Sequence, residues 1–153
     1  MGSLIQAFEE VPGRVVAFSP PDGTVPVNDS EPPAHDPTDE AAANAIVNPR
    51  PMTLESLDNG RVHFERFCAA CHGRSGAGDG PVSMTGPLQG PLAGVLPLSG
   101  VASIAKVRSD GHIFATIRYG RRRMPSYQRI EVSSRWDIVN YIRYINGQKG
   151  VGQ

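Results

Sequence analysis

Two cysteines and the histidine behind them constrain this chain more than any other feature. The 153 residues contain no cysteine besides Cys68 and Cys71, which leaves nothing for a disulfide framework. The order is Cys-Ala-Ala-Cys-His, so His72 follows the second cysteine directly. Because two intervening residues place both sulfurs on a single helical turn, the three side chains act at one place. We therefore expect the domain to be organised around these three residues.

Three kinds of site use cysteines at this spacing. A zinc site needs four ligands, and the other three histidines supply no second closely spaced pair. Those histidines are His35, His63 and His112. A dithiol redox site calls for a thioredoxin-like βαβ setting, which the sequence does not predict. Covalent attachment of a c-type haem uses all three residues, since both thiols add to vinyl groups and the histidine ligates the iron.

We therefore interpret Cys68 and Cys71 as the thioether residues of one haem c and His72 as its proximal iron ligand. The iron of an electron-transfer haem usually has a sixth ligand, and methionine in that position raises the reduction potential relative to a second histidine. Met124 is our candidate, because it lies 52 residues beyond the histidine and the proline after it stiffens the chain. Met84 lies only 12 residues beyond the histidine, so we expect it to be a packing residue.

The chain divides by composition near residue 52. Residues 1–52 hold 9 of the 14 prolines and have a net charge of −6, whereas residues 53–153 have a net charge of +6. The first part is expected to be an extended acidic arm without sheet, with one short helix over residues 37–48 capped by Thr38. It is either a disordered linker or a segment that orders against partner subunits. Its candidate anchors are Val11, Val15, Val16, Phe18, Val25 and Val27.

The second part, residues 53–153, shows helical periodicity and no strand pattern. Thr53 can cap a first helix that ends at the cysteine pair, and a Gly- and Pro-rich loop follows over residues 73–103. A second helix is expected behind Asp110 as N-cap, ending at a glycine, and a third over about residues 133–145. The sequence predicts an all-α domain with long loops.

No apolar run is long enough to span a bilayer as a helix. The first residues, MGSLIQAFEEVPG, lack the basic region and apolar core of a secretory signal. If the protein works outside the cytoplasm, its export signal has been removed, is unconventional or lies outside this sequence.

The order of helix, Cys-x-x-Cys-His, loop, Met-Pro and final helix resembles a class I cytochrome c over residues 53–147. The resemblance implies about three main helices around one covalently bound haem. It also implies that the first and last helices cross at Gly60 and Phe64, with Tyr141 as the aromatic partner.

Three runs, CHGRSGAGDG, RYGRRRMPSY and RWDIVNYIRYI, are similar to the monohaem cytochrome c subunit of bacterial alternative complex III. That resemblance implies an electron-transfer subunit without substrate chemistry of its own, in a quinol-oxidising membrane complex. Its electrons would pass to a cytochrome or a terminal oxidase. Partner subunits would hold it at the periplasmic face of the inner membrane, and no nucleic-acid partner is expected.

Other functions stay open at this point. The chain could be a free or membrane-associated carrier, the cytochrome subunit of another dehydrogenase, or a haem enzyme or sensor with an open sixth site. The run Arg121-Arg122-Arg123 beside the candidate ligand is a solvated face, a partner for haem propionates, or a surface that steers an acidic protein. The acidic arm would neutralise a basic neighbour or hold the chain in a complex.

Overall fold

Three longer helices, with short elements before and between them, make up the fold. The computed structural model describes residues 31–83 and 90–148 in full, and the backbone alone of two strands before them. The elements in chain order are β1 (Ala7–Val11), β2 (Arg14–Ala17), α1 (Glu40–Ala45), α2 (Leu54–Phe67), α3 (Ala69–His72), a 3-10 turn (Ile104–Val107), α4 (Asp110–Tyr119) and α5 (Val132–Ile145).

The arm contains a two-stranded antiparallel hairpin, so the expectation of an arm without sheet is wrong for β1 and β2. Ala7 pairs with Ala17 and Phe8 with Val16, and the register shifts before the last pair. The arm's prolines flank these short runs and leave their interiors free, and β-branched valines favour strands. The side chains of the candidate anchors lie outside the described residues.

Helix α2 begins and ends where the sequence predicts. The hydroxyl of Thr53 accepts a hydrogen bond from the Ser56 amide at 3.1 Å, which satisfies one of the free N–H groups of the first turn. The helix runs over Leu54–Phe67, and Cys68 closes it by donating its amide to Phe64 at 2.8 Å. Helix α2 therefore delivers the cysteine motif at its C-terminus.

The expected crossing of the first and last helices is confirmed. A Cβ on Gly60 would overlap the Asp137 carbonyl oxygen and lie 2.9 Å from the Tyr141 Cβ, so α2 and α5 approach backbone to backbone. One turn further along, the rings of Phe64 and Tyr141 lie 5.4 Å apart at 58°. These contacts fix the motif-bearing end of α2 against α5.

The starts of α4 and α5 differ from the prediction. Ser109, not Asp110, caps α4, accepting the His112 amide at 3.1 Å. The Asp110 carboxylate instead binds the Arg143 guanidinium of α5 at 2.6 Å, a partner that local sequence cannot reveal. Helix α5 starts slightly early, at Val132.

The core lies between α2, α4 and α5. Phe114 of α4 stacks on Trp136 of α5, with ring centroids 4.0 Å apart and 16° between the planes. The buried cluster consists of Phe64, Cys68, Ala105, Ile113, Phe114, Ile117, Ile130, Val132, Trp136, Ile138, Val139 and Ile142. One cysteine of the motif is thus part of the hydrophobic core.

Residues 31–52, called the strap here, pack on α4 and α5. Glu31 pairs with Arg135 at 2.7 Å and with Arg118 at 3.0 Å. Helix α1 within the strap is capped by Asp39 and not by Thr38, whose hydroxyl bonds to a neighbouring aspartate. Two acidic residues of the strap, Glu31 and Glu40, thus pair with arginines of the domain.

A buried polar network joins the end of the strap to α5. Asp137 is 1% exposed and accepts hydrogen bonds from Arg50 at 3.0 Å, Ser56 at 2.6 Å and Asn59 at 2.8 Å. One turn along α5, Asn140 accepts a hydrogen bond from Asn48 at 2.8 Å. A buried carboxylate is stable only when it is paired and hydrogen-bonded, and the strap supplies the arginine that pairs with Asp137.

Candidate haem site

The motif residues come together in one turn of helix, α3, directly after α2. The amides of Cys71 and His72 donate to the Cys68 carbonyl at 3.1 and 2.8 Å. Cys68 is buried and Cys71 is half-buried, and both are free thiols. Gly73 ends the turn with a φ of 76°, and a Cβ there would overlap the Asp79 carboxylate, so the chain can reverse here only with glycine.

His72 is oriented as an iron ligand requires. Its Nδ1 lies 3.1 Å from the Leu96 carbonyl oxygen, and because a carbonyl only accepts, Nδ1 carries the proton. The lone pair is then on Nε2, free for a metal. Burial lowers the pKa of His72 below 6.5 and so favours the neutral imidazole that ligates metals. A ring N–H held by a backbone carbonyl is the usual support of a metal-binding histidine.

The loop after the motif folds back over it. The Ser83 hydroxyl lies 2.6 Å from the Cys71 carbonyl oxygen and 2.8 Å from that of Gly78. Further along, the Leu98 amide donates to Gly76 at 2.6 Å, which brings the segment with Leu96 beside the motif. Sequence reasoning missed both Ser83 and the Leu96 carbonyl. A serine in a loop and a backbone carbonyl form no recognisable sequence motif. The proline after Leu96 is the one local feature at this position of the sequence.

The two competing interpretations of the motif gain no support. Burial, and then the neighbouring Cys71, raise the pKa of the Cys68 thiol to about 12, so it stays protonated and unreactive at neutral pH, unlike a redox thiol. Within the described residues, no three His, Cys, Asp or Glu side chains are placed to hold a metal ion. A zinc site therefore finds no further ligands in that part of the chain.

Met124 closes a tight turn at the C-terminal end of α4. The amides of Arg121 and Met124 each donate to the other's carbonyl, at 3.0 and 2.9 Å, and Arg122 between them has a φ of 53°. The Met124 side chain is partly buried against the core cluster that contains Cys68. Met84 lies outside the described residues. The roles of these residues toward a haem stay a prediction.

The three arginines before Met124 have different partners. Arg121 binds Glu40 of the strap and donates to His112 Nε2 at 3.2 Å. Arg123 donates to two loop carbonyls, those of Pro91 and Ala93. Arg122 is exposed, without a hydrogen bond or ion pair to the described residues. Of the three arginines, only Arg122 therefore fits the interpretation of a solvated face in the described structure.

An aromatic pair lies next to the motif. Phe67 and Tyr127 have ring centroids 6.3 Å apart, and the Arg129 guanidinium lies over both, at 5.8 and 5.6 Å. Burial raises the pKa of Tyr127, with smaller contributions from the thiols of Cys68 and Cys71. Phe67, Tyr127 and Met124 are all partly buried and pack against the core cluster that contains Cys68.

The donor set fits a c-type haem. Cys68 and Cys71 would form its thioethers, and His72 and Met124 would be its axial ligands. The structural observation behind this assignment is the proton fixed on Nδ1 of His72, which leaves the other ring nitrogen as a ligand.

Comparison with known proteins gives one family match. Residues 55–142 match the family described as "Cytochrome C oxidase, cbb3-type, subunit III". Among solved structures, a chain of the reducing HAO-like protein complex of Kuenenia stuttgartiensis has 20% identity and a TM-score of 0.49, covering 74% of this chain and 50% of its own length. The chain thus spans about half the length of that relative. A search of curated proteins gives no significant match.

None of the helices in the described residues is both long and apolar enough to cross a membrane. The family match extends from the second residue of α2 to the eleventh of α5 and includes the cysteine motif and Met124. Because it covers more than half of the chain, the protein belongs to this family of cytochromes c, has the class I cytochrome c fold, and is an electron-transfer protein of the haem c type.

Proposed function

We propose that the protein carries a single haem c, attached through Cys68 and Cys71 and ligated by His72 and Met124, and that it relays electrons without substrate chemistry of its own. The observation that carries the proposal is the 3.1 Å hydrogen bond from His72 Nδ1 to the Leu96 carbonyl. It selects the tautomer and holds the ring, as expected for a ligand with its second nitrogen on iron.

Haem c supplies a one-electron couple, and methionine as the second axial ligand raises its potential. The protein's residues bind and shield it. Cys68 belongs to the core, and Phe67 and Tyr127 supply apolar surface packed against the cluster that contains it. Arg121 is bound to Glu40, which leaves the exposed Arg122 as the better placed of the two to meet an acidic redox partner.

We further propose that the protein is a permanent subunit of a quinol-oxidising membrane complex of the alternative complex III type, at the periplasmic face. The three sequence runs similar to the monohaem subunit of that complex support this, as does an N-terminal arm longer than a free carrier needs. Because Glu31 and Glu40 of the strap are bound to the protein's own arginines, residues 1–30 are the part of the arm that we assign to neighbouring subunits. The electron acceptor would be a cytochrome or a terminal oxidase.

Intact-mass measurement of the purified denatured protein tests the cofactor. The expected result is the chain plus one haem, with the increment lost in a Cys68→Ala, Cys71→Ala double variant. A mass without haem, or with zinc in the native protein, would overturn the assignment.

Membrane extraction tests the subunit role. Detergent should release the protein together with other subunits, whereas a monomer released by salt alone would show a peripheral or free carrier.

A further inference from the structure

The strap reaches the turn of Met124 through a continuous series of contacts. We propose that Glu40 is a positioning residue for that methionine: by holding Arg121, helix α1 fixes the turn that presents Met124 and so strengthens its bond to iron. The proposal rests on the function proposed above, since it takes Met124 as the ligand.

The first step is the seat of α1 on α4. A Cβ on Gly111 would overlap the carbonyl oxygens of Ala43 and Ile46, so the end of α1 lies directly on the first turn of α4. Beside it, the Ser109 hydroxyl lies 2.7 Å from the Asn44 side-chain oxygen. Helix α1 therefore has a defined position relative to α4, although it is only six residues long.

The second step is the carboxylate of Glu40. It binds Arg121 at the end of α4 and Arg108 before its start, the latter at 3.4 Å. The hydrogen bond from Arg121 lowers the pKa of Glu40 below 4.5, so it stays charged at neutral pH. Arg121 also donates to His112 Nε2 at 3.2 Å, which gives its guanidinium two anchors on different helices.

The third step is the turn itself. Arg121 and Met124 exchange two backbone hydrogen bonds, so the position of one backbone sets that of the other. Gly120 has a φ of 75°, and a Cβ there would lie 2.5 Å from the Met124 carbonyl oxygen, which leaves little room for the turn to shift. Among the described residues of the turn, Arg121 is the one bonded to the strap, since Arg123 bonds to loop carbonyls.

Competition by imidazole for the iron of the oxidised holoprotein tests the proposal. Imidazole must displace the methionine, so its apparent affinity rises when the bond between methionine and iron is weaker. Glu40→Gln and Arg121→Gln should each raise the apparent affinity for imidazole about two- to fivefold, the range set by one half-exposed ion pair. The double variant should show less than the product of the two effects, since both remove the same interaction.

Glu65→Gln is the matched control. It removes one carboxylate from an exposed pair with Arg61 on α2, 3.3 Å apart, and should leave imidazole affinity unchanged. Thermal unfolding of each variant separates a general loss of stability from a local effect at the turn.

Unchanged imidazole affinity in Glu40→Gln, or effects that multiply fully in the double variant, would overturn the role of Glu40 while leaving methionine ligation intact. A wild-type spectrum without methionine ligation would instead overturn the proposed ligand and this inference with it. The two failures are thus distinguishable in the same samples.

Discussion

At the scale of single residues, His112 is a titratable group held neutral by its surroundings. It is buried in α4, with Arg108 before the helix, Arg121 after it and Glu40 facing it from the strap. Burial, and then the two guanidinium groups, lower its pKa below 6.5, against a smaller opposite effect of Glu40. Arg121 can only donate, so the 3.2 Å bond requires an unprotonated Nε2.

A lowered pKa gives a definite pH dependence. The neutral His112 contributes its full stability above about pH 6.5, and that contribution is lost as the pH falls through the lower pKa of the folded state, because the unfolded chain takes up the proton first. We expect the free energy of unfolding of the wild type to fall more steeply between about pH 7 and pH 5 than that of a His112→Gln variant. Denaturant unfolding at several pH values measures this, and parallel curves would contradict it.

The candidate ligand residues could be proposed from the sequence because their side chains carry the required chemistry. Cys68, Cys71 and His72 form a local motif, and Met124 stands out through its proline. The supports of the site could not be predicted in this way. Leu96 acts through its carbonyl and Ser83 through a contact 12 residues back in the chain, so neither has a local signal.

At the scale of helices, the crossing of α2 and α5 depends on a missing side chain. Gly60→Ala would put a methyl group into the Asp137 carbonyl, a backbone atom that cannot move away alone. We expect a loss of about 1–3 kcal/mol in the free energy of unfolding, despite alanine's better helix propensity. Arg66→Ala, on the exposed side of the same helix, is the control and should change it by less than about 0.5 kcal/mol. A Gly60→Ala variant as stable as the wild type would contradict the tight crossing.

Element boundaries were predictable where local capping decides them and not where tertiary contacts do. Thr53 caps α2 as expected, because among the described residues no other group bonds to its hydroxyl. Asp110 does not cap α4, since its carboxylate is engaged by Arg143 of another helix. The hairpin of β1 and β2 was missed because the proline content of the whole arm outweighed two short proline-free runs.

At the scale of the whole molecule, some of the opposite charges on the two parts of the chain bind each other. The strap brings Glu31 and Glu40 onto arginines of the domain, so part of the cancellation seen in the sequence is made of ion pairs within one chain. The division into residues 1–52 and 53–153 stays a prediction. Composition alone could not show that the strap bonds to α4 and α5.

Two shortened chains test the role of the strap. A chain that starts at Thr53 leaves Arg135 and Asp137, each 1% exposed, without Glu31 and Arg50. An uncompensated buried charge costs about 3–5 kcal/mol, but removing the strap also lets water reach these side chains, so this chain should be less stable than a chain that starts at Glu31 by up to that amount. Denaturant unfolding of both haem-loaded proteins gives the difference. Equal midpoints would show that the strap does not stabilise the domain.

Axial ligation of one haem by His72 and Met124 is tested most directly by the absorption spectrum of the oxidised holoprotein. Ferric haem with a methionine ligand has a weak far-red charge-transfer band, which we expect in the wild type and in Met84→Ala and expect to be lost in Met124→Ala. A band that persists in Met124→Ala, or that is missing from the wild type, would contradict this ligation.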